Sequence, residues 1–253
     1  MVNLRFSVVT VVLNGGTAMG KTVESVLGQT YPPYEYIVVD GGSSDCTLAV
    51  AKAYEAAFAR RGIRYRIFSE PDTGLYNAMN KGIRLAQGDF ISFLNVGDWY
   101  EPDGLENICG FYETDPFELT YGGLNYWTRD GRMVRKMSKL DRFPVTSRHW
   151  NHPSMFLRRE IYEKYGFDET FRFYGDFDLY LKLRRDGTKI RVIHQVITNF
   201  VADGISTDTR ISRVLSRAGE KYRAYRHNGY SPVYCLEAYG WELVKMIYFK
   251  LRV

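Results

Sequence analysis

Four residues near the start of the chain match the pattern of a phosphate-binding loop. They are Gly15, Gly20, Lys21 and Thr22, in the stretch NGGTAMGKT. In such a loop the backbone N–H groups surround the phosphates, the lysine contacts them and the hydroxyl binds Mg²⁺. The pattern is short and has no evident partner motif downstream. An NTPase or kinase that uses Lys21 is therefore retained as an alternative.

A second set of polar side chains follows four apolar runs. Its members are Asn14, Asp40, Glu70 with Asp72, and Asn95 with Asp98. The carboxyl ends of parallel strands meet at one edge of a sheet, so these groups should collect there. Oxygen ligands of this kind can hold a divalent cation that bridges a diphosphate, with Asp98 as the candidate ligand. The alternative for Asp98 is an ordinary turn residue.

The elements that must position these groups alternate between strand and helix. Strands are predicted at 6–13, 36–39, 65–68 and 90–94, and helices at 22–29, 47–61, 74–86 and 103–113. The first run is apolar apart from Ser and Thr, which is typical of a parallel strand buried on both faces. This order predicts a parallel sheet that binds ligands at the carboxyl ends of its strands. Later residues predict a hairpin around 130–131, a helix at 178–185, short strands at 190–193 and 196–200, and helices at 207–228 and 232–252.

Bulk properties narrow the class of protein. The chain has 253 residues, of which 45% are hydrophobic, and a net charge of +5. This charge allows an anionic ligand or membrane but is too small to indicate nucleic acid. Three separated cysteines without a CxxC pattern predict reduced thiols in the cytosol. With no signal-peptide pattern and no run of 18 apolar residues, we expect a cytoplasmic protein without a transmembrane helix.

Further candidates occur in the second half. Asp176 precedes a predicted helix, where the residues alone favour a helix cap, with Asp178 as a first-turn charge. His149 and His152 have a spacing that would suit a metal on a helix face, but Pro153 disfavours helix there.

Five segments carry a resemblance to a known family. They are VVTVVLN, KTVESVLGQTYPPYEYIVVDGGSSDCT, SEPDTGLYNAMNKGIRLAQGDFISFLN, DWYEPDGL and YGDFDLYLKLRRDG. In this order, between about Phe6 and Ser206, they resemble the family 2 glycosyltransferases, most of all those that build bacterial colanic acid, O-antigen and capsule. The resemblance implies the α/β fold called GT-A, with a Rossmann-like, mostly parallel central sheet flanked by helices, and C-terminal helices. It also implies that Lys21 and Thr22 belong to the first helix.

The resemblance assigns a nucleotide pocket position by position. Asp40 resembles the residue that hydrogen-bonds the base, and Leu13 and Asn14 lie where the strand tip meets base and ribose. Asp72 lies in the segment that lines this pocket, and we assign Lys81 on the following helix to the same pocket. The expected donor is a nucleotide-sugar, a UDP-sugar above others.

The resemblance assigns the chemistry to Asp176. This residue matches the base that removes a proton from the acceptor hydroxyl in an inverting transfer. His152 is a candidate contact to the acceptor, expected to be a saccharide or a polyprenyl-diphosphate-linked saccharide. The segment VADGIST at 201–207 resembles one that closes over the donor, and its Gly204 and Ser206 suit a mobile turn.

One motif departs from the family pattern. The metal-binding motif normally reads D-x-D or N-x-D-D, whereas this chain has LNVGD, in which only Asp98 keeps a carboxylate. A single Asp with diphosphate oxygens could still hold Mg²⁺ or Mn²⁺, but more weakly. A basic side chain within 129–148 could instead neutralise the leaving group. A non-catalytic, sugar-nucleotide-binding relative is the second alternative.

The predicted organisation is a GT-A domain at 1–206 and a helical extension at 207–253. Within the domain, residues 1–100 form the nucleotide-binding half and residues 101–206 the acceptor half. In the extension, residues 241–252 place an apolar stripe beside basic residues: Trp241, Val244, Ile247, Tyr248 and Leu251, with Lys245, Lys250 and Arg252. Such a helix suits peripheral contact with the inner face of the cell membrane, and a helix docked on the core is the alternative.

Overall fold

A parallel sheet forms first along the chain. The computed structural model describes residues 2–128, 131–201 and 208–252, and side chains up to residue 248. Its first elements are β1 (Phe6–Val12), α1 (Ala18–Leu27), β2 (Glu35–Asp40), α2 (Thr47–Lys52), α3 (Glu55–Arg60), β3 (Arg64–Ser69), α4 (Leu75–Leu85) and β4 (Phe90–Phe93). Strand β1 pairs in parallel with β2 and β4, and β2 pairs in parallel with β3. The predicted α/β class and the four parallel strands are confirmed.

Two of the predicted helices differ from the observed ones. The helix predicted at 47–61 is divided into α2 and α3, and Tyr54 between them donates a hydrogen bond from Oη to Glu24 Oε1 of α1 at 2.7 Å. The helix predicted at 22–29 begins four residues earlier, at Ala18. Lys21 and Thr22 therefore lie inside a helix and not in a loop.

The second half of the chain extends the sheet with mixed pairing. Its elements are β5 (Trp99–Tyr100), α5 (Gly104–Thr114), β6 (Leu119–Trp127), β7 (Met133–Lys136), β8 (Met155–Arg158), α6 (Arg159–Tyr165), α7 (Gly175–Arg185) and β9 (Ile190–Val201). Within the described ranges the strand order is β3-β2-β1-β4-β8-β6-β9-β5, with β7 on β6. Strand β8 is antiparallel to β4 and β6, so the parallel part of the sheet is mainly its first half. The two short strands predicted between 190 and 200 form one strand, β9.

The core lies on both faces of this sheet. Alternate residues of β1 belong to different clusters: Val9 and Val11 pack on the side of α4 and α7, and Val8 and Val12 pack on the side of α1. Fully burying one such side chain contributes roughly 1.5–3 kcal/mol. Because α4 and α7 share one face, their amino-terminal ends are held close together.

The chain continues with two long helices, α8 (Ile211–His227) and α9 (Tyr234–Arg252), as predicted. Helix α8 packs on α7, with the rings of Phe177 and Tyr225 5.4 Å apart. The proposed boundary between 206 and 207 lies outside the described residues, as do residues 202–207 of the predicted mobile segment at 201–207, with Gly204 and Ser206. None of the described helices has the length and apolar character needed to cross a bilayer.

Helix α9 is amphipathic with its apolar side outward. Its exposed side chains are Leu236, Tyr239, Leu243, Val244, Ile247 and Tyr248. Its inward side carries Glu237, Glu242 and Lys245, whose side chains are 10%, 0% and 23% exposed. The side chains of Leu251, Lys250 and Arg252 lie outside the described set. Trp241 does not join the exposed stripe, because the guanidinium of Arg148 lies 4.3 Å from its ring centroid.

Candidate active site

The loop after β1 and the turn after β2 are joined by hydrogen bonds through Asn14. Asn14 has a φ of 53°, a left-handed conformation that Asn tolerates better than most residues. Its backbone N–H donates to Ser43 Oγ at 2.7 Å, and its Oδ1 accepts from the backbone N–H of Ser44 at 2.9 Å. Leu13 beside it is exposed. The two strand ends are therefore fixed relative to each other.

Asp40 is buried and directs its carboxylate into the protein. Its Oδ2 accepts from the backbone N–H groups of Gly42 and Ser43, at 3.2 and 3.0 Å, and from Ser69 Oγ at 2.6 Å. Burial alone would raise the pKa of Asp40, but the hydrogen bonds from Ser43, Ser69 and Gly42 outweigh it and lower the pKa. Asp40 is thus the residue that shapes the turn.

Asp72 lies in the space beside Gly41. A Cβ atom at position 41 would be 2.3 Å from Asp72 Oδ2 and 3.6 Å from the Cβ of Leu13. The carboxylate can occupy this place only because residue 41 is glycine. Asp72 Oδ1 also accepts from the backbone N–H of Gly74 at 2.9 Å, which places the carboxylate just before α4. Leu13, Asn14, Asp40 and Asp72 thus come together at one corner, and their assignment to the nucleotide stays a prediction.

Lys81 is engaged at the side of this corner. Its Nζ donates to the carbonyl of Pro71 and to Glu70 Oε1, both at 2.8 Å. It lines a cavity of about 200 Å³ with Val39, Phe68, Glu70, Arg84 and Leu85. Lys81 therefore supports the segment that carries Asp72, and its assignment to the nucleotide stays a prediction.

Asp176 lies in the first turn of α7 with three close neighbours. Its Oδ1 accepts from Tyr76 Oη at 3.2 Å and from the backbone N–H of Phe177 at 2.8 Å. Its Oδ2 lies 3.5 Å from His152 Nδ1. Burial raises the pKa of Asp176, although His152 and the two hydrogen bonds offset part of the shift. The side chain is 21% exposed, so this carboxylate is shielded and still reachable.

Tyr76 reaches Asp176 because residue 175 has no side chain. A Cβ atom at Gly175 would be 2.8–3.0 Å from three atoms of the Tyr76 ring. The ring itself is buried, at 3% exposure. The ring of Tyr76, on α4, thus occupies the space that a side chain at position 175 would fill. Asp72 and Tyr76, only four residues apart, fill the spaces beside Gly41 and Gly175.

His152 lies in a box of aromatic rings. Its ring centroid is 6.2 Å from that of Phe93, 5.8 Å from that of Trp150 and 6.1 Å from that of Phe167. Burial lowers the pKa of His152, and Asp176 offsets this shift only in part. Among the described residues, none forms a hydrogen bond with its buried Nε2. Since Phe93 ends β4, this box connects Asp176 to the carboxyl edge of the sheet.

Asp98 is 3% exposed, and its Oδ1 accepts from the backbone N–H of Val201, the last residue of β9, at 2.9 Å. Burial raises its pKa to about 8, and the Val201 hydrogen bond offsets part of the shift. No group of three or more His, Cys, Asp or Glu residues suited to a metal occurs in the described ranges. A buried carboxylate used by the backbone fits an open metal site poorly.

The candidate phosphate-binding loop has a different use. Lys21 Nζ lies over the ring of Trp99, 2.9 Å from its centroid. The buried hydroxyl of Thr22 donates to the carbonyl of Asp98 at 2.8 Å and accepts from the backbone N–H of Gly97 at 2.9 Å. Both groups that would contact a nucleotide and its Mg²⁺ are therefore occupied by the turn at 97–99. The NTPase or kinase interpretation is not favoured.

Comparison with known families decides the class. The model of the family described as "Glycosyl transferase family 2" matches residues 7–183. The chain belongs to this family. It is a glycosyltransferase, and the sequence resemblance is confirmed.

Curated relatives carry the same activity in their names. One is the "PGL/p-HBAD biosynthesis glycosyltransferase" of Mycobacterium bovis, 29% identical over 212 residues, covering 82% of this chain and 81% of the relative. Another is the "Chondroitin synthase" of Escherichia coli, 28% identical over 249 residues, covering 89% of this chain but 34% of the relative.

Solved structures confirm the GT-A fold. S. aureus TarS 1–349 in complex with UDP superposes with a TM-score of 0.68 at 15% identity, covering 95% of this glycosyltransferase and 71% of TarS. The mannosyltransferase PcManGT from Pyrobaculum calidifontis, in complex with GDP-Man and Mn²⁺, has a TM-score of 0.66 at 18% identity, covering 98% and 74%. At these identities the likeness concerns the fold.

Sequence reasoning missed the residues that position Asp72 and Asp176 by packing beside them. Tyr76, Gly41 and Gly175 were each part of a recognised segment but carried no assigned role. The available signal was Gly175 itself, because a glycine directly before a candidate base leaves space for a neighbouring side chain. A separate cavity of about 360 Å³ near His194 and Arg135 contains none of the predicted site residues.

The raised pKa of Asp176 predicts a pH-dependent stability difference. Above the ordinary pKa of about 3.9, the folded state still holds a proton that the unfolded state has lost. The free energy of unfolding therefore falls as pH rises towards the folded pKa, by at most about 1.4 kcal/mol per pH unit. Asp176→Asn has no titrating group at this position and avoids the decrease. The free energy of unfolding of the variant minus that of the wild type should therefore increase with pH and then level off above the folded pKa.

Denaturant unfolding at several pH values measures this difference. Asp186→Asn is the control, because hydrogen bonds from Arg185 and Tyr165 lower the pKa of Asp186. Asp186 contributes to the free energy of unfolding above its ordinary pKa, and this contribution is lost as pH falls. The stability difference between Asp186→Asn and the wild type should therefore change with pH in the opposite direction. A stability difference for Asp176→Asn that does not change with pH would contradict the prediction.

Proposed function

We propose that this glycosyltransferase moves one sugar from a UDP-sugar to a saccharide or lipid-linked saccharide with inversion, using Asp176 as the base. The observation that carries the proposal is the shielded carboxylate of Asp176 beside His152 and Tyr76. An inverting transfer needs one proton acceptor on the acceptor side, and a pKa raised by burial brings a carboxylate closer to the working pH.

The proposed step is a single displacement. The acceptor oxygen attacks the anomeric carbon while the bond from that carbon to the nucleoside diphosphate breaks. The acceptor proton passes to Asp176 Oδ2, and the electron pair of the broken bond leaves with the diphosphate. Tyr76 Oη and the backbone N–H of Phe177 hold the other carboxylate oxygen in place. His152 is proposed to contact the acceptor.

The donor side of the proposal rests on the corner of Leu13, Asn14, Asp40 and Asp72. Asp72 is the partly exposed carboxylate of this corner, whereas Asp40 is used by the turn. We infer that Asp72 contacts the nucleotide directly and that Asp40 shapes its pocket. The UDP of the TarS complex supports the choice of nucleotide, and the names of the curated relatives support surface glycan synthesis.

For the cofactor, we propose that Mg²⁺ or Mn²⁺ at Asp98 contributes little to catalysis. The PcManGT complex contains Mn²⁺. In this chain, however, the hydrogen bond from Val201 and the burial of Asp98 leave one shielded carboxylate.

We also propose that the outward face of α9 lies on an anionic bilayer at the cytoplasmic side. The described part of that face carries no charge, and its two Tyr residues are suited to a membrane interface. The net charge of +5 complements anionic lipid. A polyprenyl-linked acceptor would lie at the same surface. A second copy of the chain is the competing occupant.

The role of Asp176 predicts the result of replacing it by Asn. The rate constant kcat should fall by about 10²–10⁴, because the proton acceptor is lost, while the affinity for UDP stays within about twofold. Product mass spectrometry with a panel of nucleotide-sugars and lipid-linked acceptors gives the rates, and calorimetry gives the affinity. Full activity of the variant would refute the base assignment. UDP binding with no turnover by the wild type would favour a non-catalytic relative.

The contact between residues 41 and 72 predicts a coupled pair of variants. Gly41→Ala should displace the Asp72 carboxylate and weaken UDP binding by about tenfold, since the new Cβ overlaps Oδ2. In an Asp72→Ala background the same change should have little further effect, because the two act through one contact. Calorimetric titration with UDP measures all four proteins. An equal loss in both backgrounds would show that Gly41 acts without Asp72.

The exposed apolar face of α9 predicts that acidic substitutions on it weaken binding to lipid vesicles. Leu243→Glu with Ile247→Glu should weaken binding to phosphatidylglycerol-rich vesicles by at least about tenfold, because two exposed apolar side chains become anionic. Ala56→Glu with Ala59→Glu in α3 adds the same charge elsewhere and should reduce binding less. Vesicle co-sedimentation measures binding, and light scattering measures mass. A dimer that dissociates in the α9 variant, with no vesicle binding by the wild type, would assign the face to a second copy.

A further inference from the structure

The cavity of about 360 Å³ near His194 lies beside the middle of β9, and we call it the β9 cavity. Helix α5 supplies Asn107 to its lining, and α5 packs on the same face of the sheet as α1. Asp176 belongs to α7, which packs on the opposite face with α4. The β9 cavity is therefore separate from the candidate active site, and its volume is within the range of sites for small molecules.

Strand β9 is irregular where it borders the cavity. Its pairing with β6 is shifted between Gly122 and Gly123, which leaves His194 and Gln195 as extra residues of β9. Irregularities of this kind redirect side chains and are over-represented next to active sites. This one brings His194, Gln195 and Val196 into the lining of one cavity, although regular alternation would direct the middle residue to the other face.

Glycine at position 122 permits this irregularity. A Cβ atom there would be 2.5 Å from Ile197 Cγ1 and 2.9 Å from the carbonyl oxygen of Gln195. Only a residue without a side chain lets β9 approach β6 so closely. The shape of the cavity is thus determined in part by the sequence of β6.

Asn125 lies in the middle of a polar row that crosses the sheet. Its register partners are Arg135 on β7 and Asn199 on β9, and residues paired in this way point to the same face. Asn125 Nδ2 donates to Glu101 Oε1 and to Asn199 Oδ1, both at 3.1 Å. Asn199 Nδ2 donates to the same Glu101 oxygen at 2.7 Å. The row therefore holds Glu101 in the lining of the cavity.

The amide oxygen of Asn125 is left over from this row. Asn125 is 8% exposed and lines the cavity. No residue of the described ranges forms a hydrogen bond with its buried Oδ1. A buried amide oxygen without a donor costs free energy, and a hydroxyl group bound beside Asn125 would supply the donor.

Charged side chains of both signs line the β9 cavity without pairing. Glu101 and Asp103 provide carboxylates, and Arg135 provides a guanidinium. Within the part of the chain that the structure describes, none of the three forms an ion pair. The two carboxylates disfavour a phosphate, and the guanidinium disfavours a metal cation. A hydroxyl group, in contrast, can donate to a carboxylate and accept from a guanidinium or an amide.

We propose that the β9 cavity binds a neutral saccharide. Its hydroxyl groups are donors and acceptors at once, which matches a lining of carboxylates, amides and one guanidinium. Met137 and Val196 provide apolar surface for the C–H groups of a sugar ring. The assignment rests on the proposed function, which makes the acceptor a saccharide. It gives the enzyme a second contact with the glycan that it extends, away from Asp176.

The test measures binding of neutral hexasaccharides by calorimetry on the full chain, with no nucleotide present. The probes are cellohexaose, maltohexaose, mannohexaose and chitohexaose, and at least one should bind. Hexagalacturonate should bind at least about tenfold more weakly than that probe, because its carboxylates would meet Glu101 and Asp103.

Two variants alter the cavity in different ways. Arg135→Ala with Asn107→Ala should weaken binding of the hexasaccharide by at least about tenfold, because two donors are lost. Gln195→Trp fills the cavity without a change of charge and should weaken binding to a similar extent. Arg60→Ala on α3 is the matched control, since it removes the same charge beside β3, at the other end of the sheet, and should change the affinity less than twofold. Thermal unfolding followed by circular dichroism shows whether each variant is folded.

Asp176→Asn locates the binding. This variant should bind the hexasaccharide as tightly as the wild type does, because Asp176 lies on the other face of the sheet. Loss of binding in Asp176→Asn with full binding in the cavity variants would place the saccharide at the active site and overturn the proposal. Absence of binding by the wild type to every probe would overturn it as well. Because no transfer is assayed, a chain that binds saccharide in the cavity but transfers no sugar would refute the proposed function alone.

Discussion

The cost of burying a carboxylate is the constraint on which the candidate site depends. Asp40, Asp98 and Asp176 are all shielded from water, but they receive different numbers of hydrogen bonds. Asp40 is satisfied by a turn and a serine, so its pKa falls and it acts as a structural group. Asp176 has fewer partners and a raised pKa, so it holds a proton more readily. The same side chain is thus a scaffold in one place and a candidate base in another, and the difference lies in the neighbouring donors.

The arrangement of strand and helix in the first half could be predicted because its cause is local. Apolar runs of four to eight residues, each followed by an amphipathic helix, fix the parallel strands and the edge at which ligands collect. The collection of Asn14, Asp40 and Asp72 at one edge followed from this topology, whereas Leu13 was added to that corner by the resemblance to the family. The use of each carboxylate could not be predicted in this way, because the hydrogen bond from Ser69 to Asp40 and that from Val201 to Asp98 join distant parts of the chain. The resemblance to the family supplied the candidate role of Asp176, which the residues alone suggested only as a helix cap.

Helix α9 shows a second limit of sequence reasoning. Periodicity revealed an apolar stripe but not which side of the helix faces the protein. A stripe normally faces inward. Here a tertiary contact reverses that expectation, since the inward side meets Arg217, Lys221 and Tyr174, whose polar groups require charged partners. One reversal therefore produces both an uncharged outer surface and a charge-rich interior.

The filling of the spaces beside Gly41 and Gly175 by Asp72 and Tyr76 has an evolutionary consequence. A side chain at position 41 or 175 is compatible with the fold only if the residue at 72 or 76 moves or shrinks. Substitutions at positions that are far apart in the chain are then coupled. A homologue that carries an acidic residue before its base would have a smaller or differently oriented group in place of Tyr76. Each of the two spaces can therefore be filled by a side chain from either position of its pair.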